Sequence, residues 1–275
     1  MTSKSLKKLF TYAMTAFSAL TLAACGSSET KEDTSLKDIQ DKGKLVVALS
    51  PDYAPFEFKT LVDGKDTIVG ADVEIAKAIG EKLGVEVEFS AMSFNNVLAS
   101  LSSGKADIAI SGISATEERA KTFDFSEVYY NAKNIVLVKK EDLAKYSTVD
   151  GLKDKSVGAQ KGSIQEGVVT AQLPDSNLVS LTQVTEMVTE LKSGKLDAVV
   201  MEETIAQGYV TKNDDLAIAE ITLKEDDSEP GSAVAMPKGS AALKKAIDEV
   251  IAELKSSGKI DTFIQEAYEL SLSAE

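Results

Sequence analysis

An internal repeat is the feature that most limits how this chain can fold. The segment 97–112 resembles the segment 187–202 at an offset of 90 residues. Identical residues in the two copies are Leu101/Leu191, Ser103/Ser193, Gly104/Gly194, Lys105/Lys195 and Asp107/Asp197. In both copies, apolar residues at helical spacing run up to the glycine and a hydrophobic run follows the aspartate, which predicts a helix and then a strand.

A weaker repeat sets 44–48 over 155–159, with Lys, Val and Ala retained and a polar turn after each copy. Because the same units occur twice in the same order, we predict two similar lobes. The alternative is a chance match, since a helix, a glycine and a strand form a common connection in α/β proteins.

Strand and helix patterns alternate along the chain. Residues 45–49 form a short apolar run between Gly43 and Pro51, which predicts a buried strand. Apolar residues between 73 and 83 follow helical spacing up to Gly84, and residues 85–89 alternate as in a strand. The fold class predicted is α/β, with mostly parallel sheets covered by helices. The length of 275 residues suits about two domains.

Ligands of open α/β sheets bind beyond the carboxyl ends of the strands. In the first lobe those ends are 50–53 and 111–114, and in the second they are 160–165 and 201–203. If the lobes face each other, the four segments meet in one cleft.

Composition excludes several classes of function. With 30 basic and 44 acidic residues, the net charge is −14, which argues against a nucleic-acid partner. Histidine is absent and cysteine occurs once, so histidine acid–base catalysis, Cys/His zinc sites and intramolecular disulfides are excluded. We expect no metal and no cofactor.

The N-terminus has the pattern of an export signal. Lys4, Lys7 and Lys8 precede an uncharged stretch at 9–24, which is shorter than the roughly 20 residues that span a bilayer. Leu-Ala-Ala-Cys at 22–25 resembles the lipobox of bacterial lipoproteins.

That resemblance implies a signal peptide at 1–24 and lipidation of Cys25, with acyl chains such as palmitate anchoring the protein to the membrane. The polar segment 25–35 is then a flexible tether. Two alternatives are a plain cleaved signal and a buried helix with an unrelated cysteine.

Several motifs in order carry a family resemblance that covers about 36–268. They are Tyr53-Ala54-Pro55-Phe56-Glu57, Val69-Gly70-Ala71-Asp72, the run 107–119, Phe123-Asp124-Phe125-Ser126 with Tyr129-Tyr130, Gly162-Ser163, and Met236-Pro237-Lys238-Gly239-Ser240. Together they resemble the amino-acid-binding proteins of bacterial ABC importers, solute-binding family 3, which includes histidine, glutamine and lysine/arginine/ornithine receptors.

The resemblance implies a type II periplasmic-binding-protein fold with the ligand between two lobes. Lobe one would comprise 36–130 plus 228–275, and lobe two 134–224. A hinge of two segments, 131–133 and 225–227, would join them and allow closure.

An amino acid presents a carboxylate and an ammonium on one carbon, so its receptor needs a cation, N–H donors and an anion. The resemblance makes Arg119 the clamp for the carboxylate, since its planar fork matches two oxygens at once. It assigns the backbone N–H groups of Ser114, Ser163 and Ile164 as further donors to the same carboxylate. Without the family resemblance, Arg119 would be interpreted as a surface residue of a helix, beside two glutamates.

Glu202 aligns with the family carboxylate that holds the ammonium, usually an aspartate, and the adjacent Glu203 could compete for this role. The backbone carbonyl of Gly112 aligns with a second ammonium contact. A solvated acidic pair after a strand is the alternative interpretation of Glu202 and Glu203.

Tyr53 and Phe94 align with two aromatic residues that flank the substrate side chain, although Phe94 could instead fill the core. Ser50 aligns with an aspartate of the cationic-substrate receptors. Ser111 and Gln160 are expected to supply polar contacts. Negative charge could come from acids that point inward, namely Asp52, Glu57 or Glu166.

The resemblance therefore implies a receptor that captures a free L-amino acid, closes around it and docks on an ABC permease. A polar or cationic ligand is expected, with arginine or lysine favoured over glutamine or histidine. The protein would be an extracytoplasmic, lipid-anchored monomer, most compatible with a Gram-positive cell surface, and not an enzyme. Rival interpretations are a cyclohexadienyl-dehydratase-like enzyme with Glu202 as general acid, and a surface adhesin or sensor domain.

Overall fold

Three sheets organise the computed structural model, which describes residues 33–131, 133–224 and 231–273. In chain order the strands are β1 (Lys44–Leu49), β2 (Asp52–Tyr53), β3 (Glu57–Val62), β4 (Lys65–Val69), β5 (Glu86–Ala91), β6 (Ile108–Ala109), β7 (Phe123–Phe125), β8 (Asn134–Lys139), β9 (Ser156–Gln160), β10 (Asn177–Leu181), β11 (Ala198–Glu202), β12 (Leu216–Ile218) and β13 (Ala235–Pro237). The α-helices are α1 (Ser35–Lys42), α2 (Ala71–Leu83), α3 (Phe94–Ser102), α4 (Glu117–Ala120), α5 (Ile164–Gln172), α6 (Val184–Ser193), α7 (Glu203–Lys212), α8 (Ala241–Ser256) and α9 (Lys259–Ser273).

Two five-stranded sheets have the orders β5-β1-β6-β13-β7 and β10-β9-β11-β8-β12. In each sheet four strands run in one direction, and the fifth, β13 or β8, is reversed. The predicted α/β class with mostly parallel sheets is confirmed. The sequence patterns did not predict the small antiparallel sheet β2-β3-β4, whose outer residues are polar or exposed.

The structure confirms the stronger repeat, since α3–β6 and α6–β11 occupy equivalent places in the two sheets. The two repeated aspartates also make equivalent hydrogen bonds. Asp107 Oδ2 accepts a hydrogen bond from the N–H of Val46 at 2.7 Å, and Asp197 Oδ2 accepts one from the N–H of Ser156 at 2.9 Å. Each carboxylate therefore ties the start of its strand to the neighbouring central strand.

The strand pairing corrects the alignment of the weaker repeat by one residue. Val47 pairs with Ile108, whereas Val157 pairs with Ala198. Val47 is thus the counterpart of Val157, at an offset of 110 rather than the 111 suggested by identical letters. A slip of one residue in a strand exchanges the two faces, so burial decides the register and the identities do not.

Helices cover both faces of each large sheet. In the first, α2 and α8 pack on one face through residues such as Ile75 and Ile247, while α3 packs on the other through Leu101. In the second, α6 and α7 cover one face and α5 covers the other. As predicted, α2 stops at the left-handed Gly84. With both faces covered, the carboxyl ends of the strands remain available for a ligand.

The folded body begins inside the segment predicted to be a tether. Asp33 Oδ2 accepts a hydrogen bond from the N–H of Ala242 at 2.6 Å, and α1 starts at Ser35. The predicted signal peptide 1–24, Cys25 and the hinge residues 225–227 lie outside the described residues. Within the described part of the chain, no helix combines the length and apolar character needed to cross a bilayer.

Candidate functional site

A narrow space, with a cavity volume of about 10 Å³, lies where the four predicted segments meet. It is lined by Tyr53, Phe94, Ser111, Gly112, Ser114, Arg119, Gln160, Ser163, Ile164, Gln165 and Glu202. Ten of the eleven residues expected to bind ligand therefore surround one space.

Arg119 forms the cationic wall of this cavity and reaches both sheets. Its own N–H donates to the Thr116 hydroxyl at the start of α4. The guanidinium donates from Nη1 to the carbonyl of Ser114 at 2.9 Å and from Nη2 to the carbonyl of Gly162 at 3.0 Å. Its Cζ lies 5.9 Å from the centre of the Phe94 ring. Burial lowers the pKa of Arg119, but an arginine stays protonated in proteins.

Glu202 forms the anionic wall, at the junction of β11 and α7, and is 6% exposed. Its Oε2 has no hydrogen-bond partner among the described residues. Burial raises the pKa of Glu202 to about 8, opposed by a smaller lowering from hydrogen bonding with Tyr53. Glu203 is exposed, and its backbone N–H donates to the carbonyl of Lys133. Of the two adjacent acids, Glu202 is the one that lines the cavity.

Two more polar atoms at the cavity wall have no partner within the described residues, Nε2 of Gln160 and Oγ of Ser163. Leaving a buried polar atom unpaired costs about 1–3 kcal/mol, so such a cluster indicates a ligand site. Gln165 also lines the cavity, and its Nε2 donates to Asn134 Oδ1 at 2.8 Å. Its segment, 160–165, is one of the four predicted to meet at the cleft, but no sequence pattern distinguishes Gln165 from its neighbours.

Two fully buried carboxyl groups, those of Glu57 and Asp72, lie directly behind the cavity wall. Ser111 Oγ donates to Glu57 Oε1 at 2.5 Å. Asp72 Oδ2 accepts from the N–H of Gly112 and the hydroxyl of Tyr129, both at 2.9 Å. Burial raises the pKa of Glu57 well above its ordinary range, with a further contribution from the charge of Asp72, and burial raises the pKa of Asp72 to about 6.

Each of these two carboxyls keeps one oxygen without a partner in the described part of the chain. With Glu202, the region therefore holds three buried carboxyls against a single buried guanidinium. Removing carboxylates from water is unfavourable unless a proton or a cation compensates, and the raised pKa values of these three acids reflect the first of these. Of the three, only Glu202 lines the cavity, so it is the acid placed to meet a ligand cation.

Ser50 differs from the other predicted site residues, because it does not line the cavity. Its hydroxyl donates to Asp52 Oδ1 at 2.9 Å, and its N–H donates to Ser111 Oγ at 3.0 Å. Its role in the structure is to support Ser111.

Of the three acids considered as sources of negative charge, only Glu57 lies behind the cavity. Asp52 Oδ2 is occupied by the N–H of Val184, at 2.7 Å, and Glu166 Oε2 by the N–H of Gly162, also at 2.7 Å. Both acids therefore bind backbone donors.

Gly112 allows the Tyr53 ring to form part of the wall. Its φ of +55° is in the left-handed region, and a Cβ at this position would lie 3.0 Å from Tyr53 Cε1. A larger residue would move either the ring or the turn whose N–H binds Asp72.

The chain is similar to known proteins along nearly its whole length. The arginine-binding extracellular protein ArtP of Bacillus subtilis is 36% identical over 258 residues, which cover 93% of this chain and 96% of ArtP. The ABC transporter glutamine-binding protein GlnH of the same organism is 33% identical, and the match covers 93% of this chain and 95% of GlnH.

Among solved structures, the amino acid ABC transporter substrate-binding protein AbpA of Streptococcus pneumoniae, bound to L-arginine, is 55% identical with a TM-score of 0.83. That match covers 86% of this chain and 99% of AbpA. The sequence profile of bacterial extracellular solute-binding proteins, family 3, matches residues 45–269. The chain therefore belongs to the bacterial extracellular solute-binding proteins of family 3 and has their type II periplasmic-binding-protein fold.

Proposed function

We propose that this protein binds free L-arginine outside the cytoplasm and delivers it to an ABC importer. The observation that carries the proposal is the charge pattern of the cavity, with the Arg119 guanidinium on one wall, the unpaired Glu202 carboxyl on the other, and the buried acids Glu57 and Asp72 behind it. Arginine carries two cationic groups and one carboxylate, so it complements this pattern more completely than a neutral amino acid does. Lysine shares that charge but lacks the planar group.

The two ends of the ligand backbone have separate binding groups. The Arg119 guanidinium has five N–H donors, two of which bind carbonyls in the structure, so others are available to a ligand carboxylate. The N–H groups of Ser114, Ser163 and Ile164 would complete this end of the site. The ammonium would bind the unpaired Oε2 of Glu202 and the carbonyl of Gly112. This arrangement accounts for the zwitterion without a chemical step.

The ligand side chain would lie between Tyr53 and Phe94, with its cation directed toward the carboxyls behind Ser111 and Gly112. An aromatic face within about 6 Å of a cation contributes roughly 0.5–2 kcal/mol. Two relatives support the choice of arginine, since AbpA is bound to L-arginine and ArtP is described as arginine-binding. GlnH, described as glutamine-binding, shows that the family also takes neutral ligands.

The N-terminal sequence supports the remaining parts of the proposal. Cleavage after residue 24, lipidation of Cys25 and the polar segment that follows would tether a monomer to the outer face of the cell membrane, as at a Gram-positive surface. The closed receptor would then dock on its permease. A receptor role without catalysis is sufficient for Arg119, Glu202, Tyr53 and Phe94, because each is assigned a contact with the ligand.

Isothermal titration calorimetry with a panel of amino acids tests the proposal. L-Arginine should bind most tightly, followed by L-lysine, with L-histidine and L-glutamine much weaker. L-Citrulline, a neutral analogue of nearly the same shape, should bind about 100-fold or more weakly than arginine, because it leaves buried carboxylates uncompensated. Equal affinity for glutamine and arginine would refute the ligand assignment, and no binding of any amino acid would refute the receptor role.

Gly162 gives a prediction about closure of the cleft. Its φ is +82°, and a Cβ would lie 3.1 Å from Cα of Asn95 on the opposite side. Gly162→Ala should therefore weaken L-arginine binding by about tenfold, since both the backbone conformation and the cross-cleft approach become unfavourable. Gly239→Ala is the matched control, because Gly239 has a φ of +89° and nothing within 4 Å of a Cβ. Equal losses of affinity for L-arginine in the two variants would exclude the steric explanation.

A further inference from the structure

One polar contact joins the two lobes at a place that the ligand cavity does not include. The carboxylate of Asp52, on β2, accepts a hydrogen bond from the N–H of Val184, the first residue of α6, at 2.7 Å. Asp52 belongs to the segment that follows β1 of the first sheet, and α6 covers the second sheet. Neither residue lines the cavity, so the contact does not depend on direct touch with a ligand.

Two features make this contact more favourable than an ordinary hydrogen bond. The residue before α6, Gln183, makes no side-chain cap, so the carboxylate of Asp52 supplies an acceptor that the helix itself lacks at its first N–H. A negative charge at a helix N-terminus also interacts favourably with the helix dipole. The Ser50 hydroxyl donates to the other oxygen of Asp52 at 2.9 Å and orients the carboxylate toward α6.

Other contacts also link the lobes, such as the hydrogen bond between Tyr130 and Thr204 and the apolar cluster shared by Tyr53 and Val184, so the hydrogen bond from Val184 to Asp52 is one contribution among several. Beside it lies a second cavity, whose walls come from both sides of the cleft: Ser50, Pro51, Asp52, Ala54, Phe58, Lys59 and Met92 on one side, and Gln183, Thr185 and Tyr209 on the other. Packing between the lobes is therefore interrupted on this side of Asp52, whereas Tyr53 packs in one apolar cluster with residues of α6. Opening the lobes by a hinge motion would break this bond.

We propose that Asp52 is a latch residue, which holds the closed state by binding the N-terminus of α6 and so sets how long the ligand stays bound. The inference rests on the proposed function and adds a residue that acts on ligand release without touching the ligand. Because the bond forms only after the lobes meet, it affects the dissociation rate and not the capture of ligand by the open form.

The test removes the acceptor and the donor separately in the full-length protein. Asp52→Ala should raise the dissociation rate of radiolabelled L-arginine about tenfold in a chase experiment, with an association rate within about twofold of wild type. Val184→Pro removes the donor N–H at the first helical position, where proline is well tolerated. It should have a similar effect. Asp52→Asn, which keeps an acceptor but loses the charge, should fall between wild type and Asp52→Ala.

Matched controls separate the latch from other effects. Asp66→Ala removes the same charge from an exposed position on β4 and should leave both rates unchanged. Val184→Ala loses the buried side chain but keeps the N–H. Any further increase in the dissociation rate in Val184→Pro is therefore due to the lost N–H donor. The double variant Asp52→Ala/Val184→Pro should dissociate no faster than the faster of the two single variants, since both substitutions break the same hydrogen bond.

The outcomes distinguish failure of the latch from failure of the receptor role. If the wild type binds L-arginine and Asp52→Ala dissociates at the wild-type rate, the latch is refuted and the receptor role stands. A slower association rate with unchanged dissociation would also refute it. If the wild type binds no amino acid, the proposed function itself fails.

Discussion

Arg119→Ala should lower the affinity for L-arginine by about a thousandfold. The variant loses the guanidinium that faces the cavity, and a bound carboxylate would then be buried without its partner, which costs about 2–5 kcal/mol. Arg119→Lys should still weaken binding by about 100-fold, because an ammonium cannot bind the carbonyls of Ser114 and Gly162 and grip two carboxylate oxygens together. Isothermal titration calorimetry measures both variants.

The control for this experiment is Lys121→Ala, which removes an exposed cation just after α4 and should bind L-arginine like the wild type. Circular dichroism should show that all three variants are folded, because Arg119 is not part of a hydrophobic core. A lysine variant with wild-type affinity would contradict the assignment of the guanidinium as the carboxylate clamp.

Glu202→Gln should weaken L-arginine binding by about 100-fold at pH 8. The substitution keeps the size of the side chain but replaces the carboxylate that would face the ligand ammonium, and a charged hydrogen bond contributes more than a neutral one. Glu203→Gln, at the exposed neighbouring position, is the matched control and should change affinity by less than about twofold.

The same residue predicts a pH dependence. Burial raises the pKa of Glu202 in the ligand-free cleft to about 8, whereas a bound ammonium favours the ionised form and lowers that pKa. Binding below pH 8 must therefore release a proton, so affinity should rise as the pH rises toward 8, by up to about tenfold per unit.

Calorimetry in buffers of different ionisation enthalpy counts the proton directly. Wild type should release close to one proton at pH 7, and Glu202→Gln should release distinctly less. Glu57 and Asp72, whose pKa values burial also raises, are retained in the variant, so the difference between the two proteins reports Glu202. If both proteins released the same number of protons at pH 7, Glu202 would not be the group that meets the ligand cation.

The architecture was predictable because it depends on short-range patterns. Helical spacing that stops at Gly84 and the aspartate before each repeated strand report on local structure, and the repeat extends that information to the second lobe. Strand order then places all four carboxyl-end segments at one cleft. The roles of Arg119 and Glu202 needed the family resemblance as well, because a surface arginine beside two glutamates has no distinguishing pattern of its own.

The directions of the acidic side chains could not be predicted. Asp52 and Glu57 lie on either side of the same tyrosine and have similar sequence surroundings. The structure turns Asp52 to the N-terminus of α6 and places Glu57 under Ser111. Similarly, identical letters gave the wrong register for 44–48, which the pairing of β1 with β6 corrected.

By itself, the sequence determined the α/β class, the duplicated lobes and the segments that meet at the cleft. Only the tertiary structure decided which carboxyls are buried there, that Gln165 joins the wall and that Asp52 links the lobes. The physical reason is that spacing along a chain determines which face of a helix or strand a residue occupies. The partner of a buried charge depends on contacts between segments far apart in sequence, such as Asp52 with Val184.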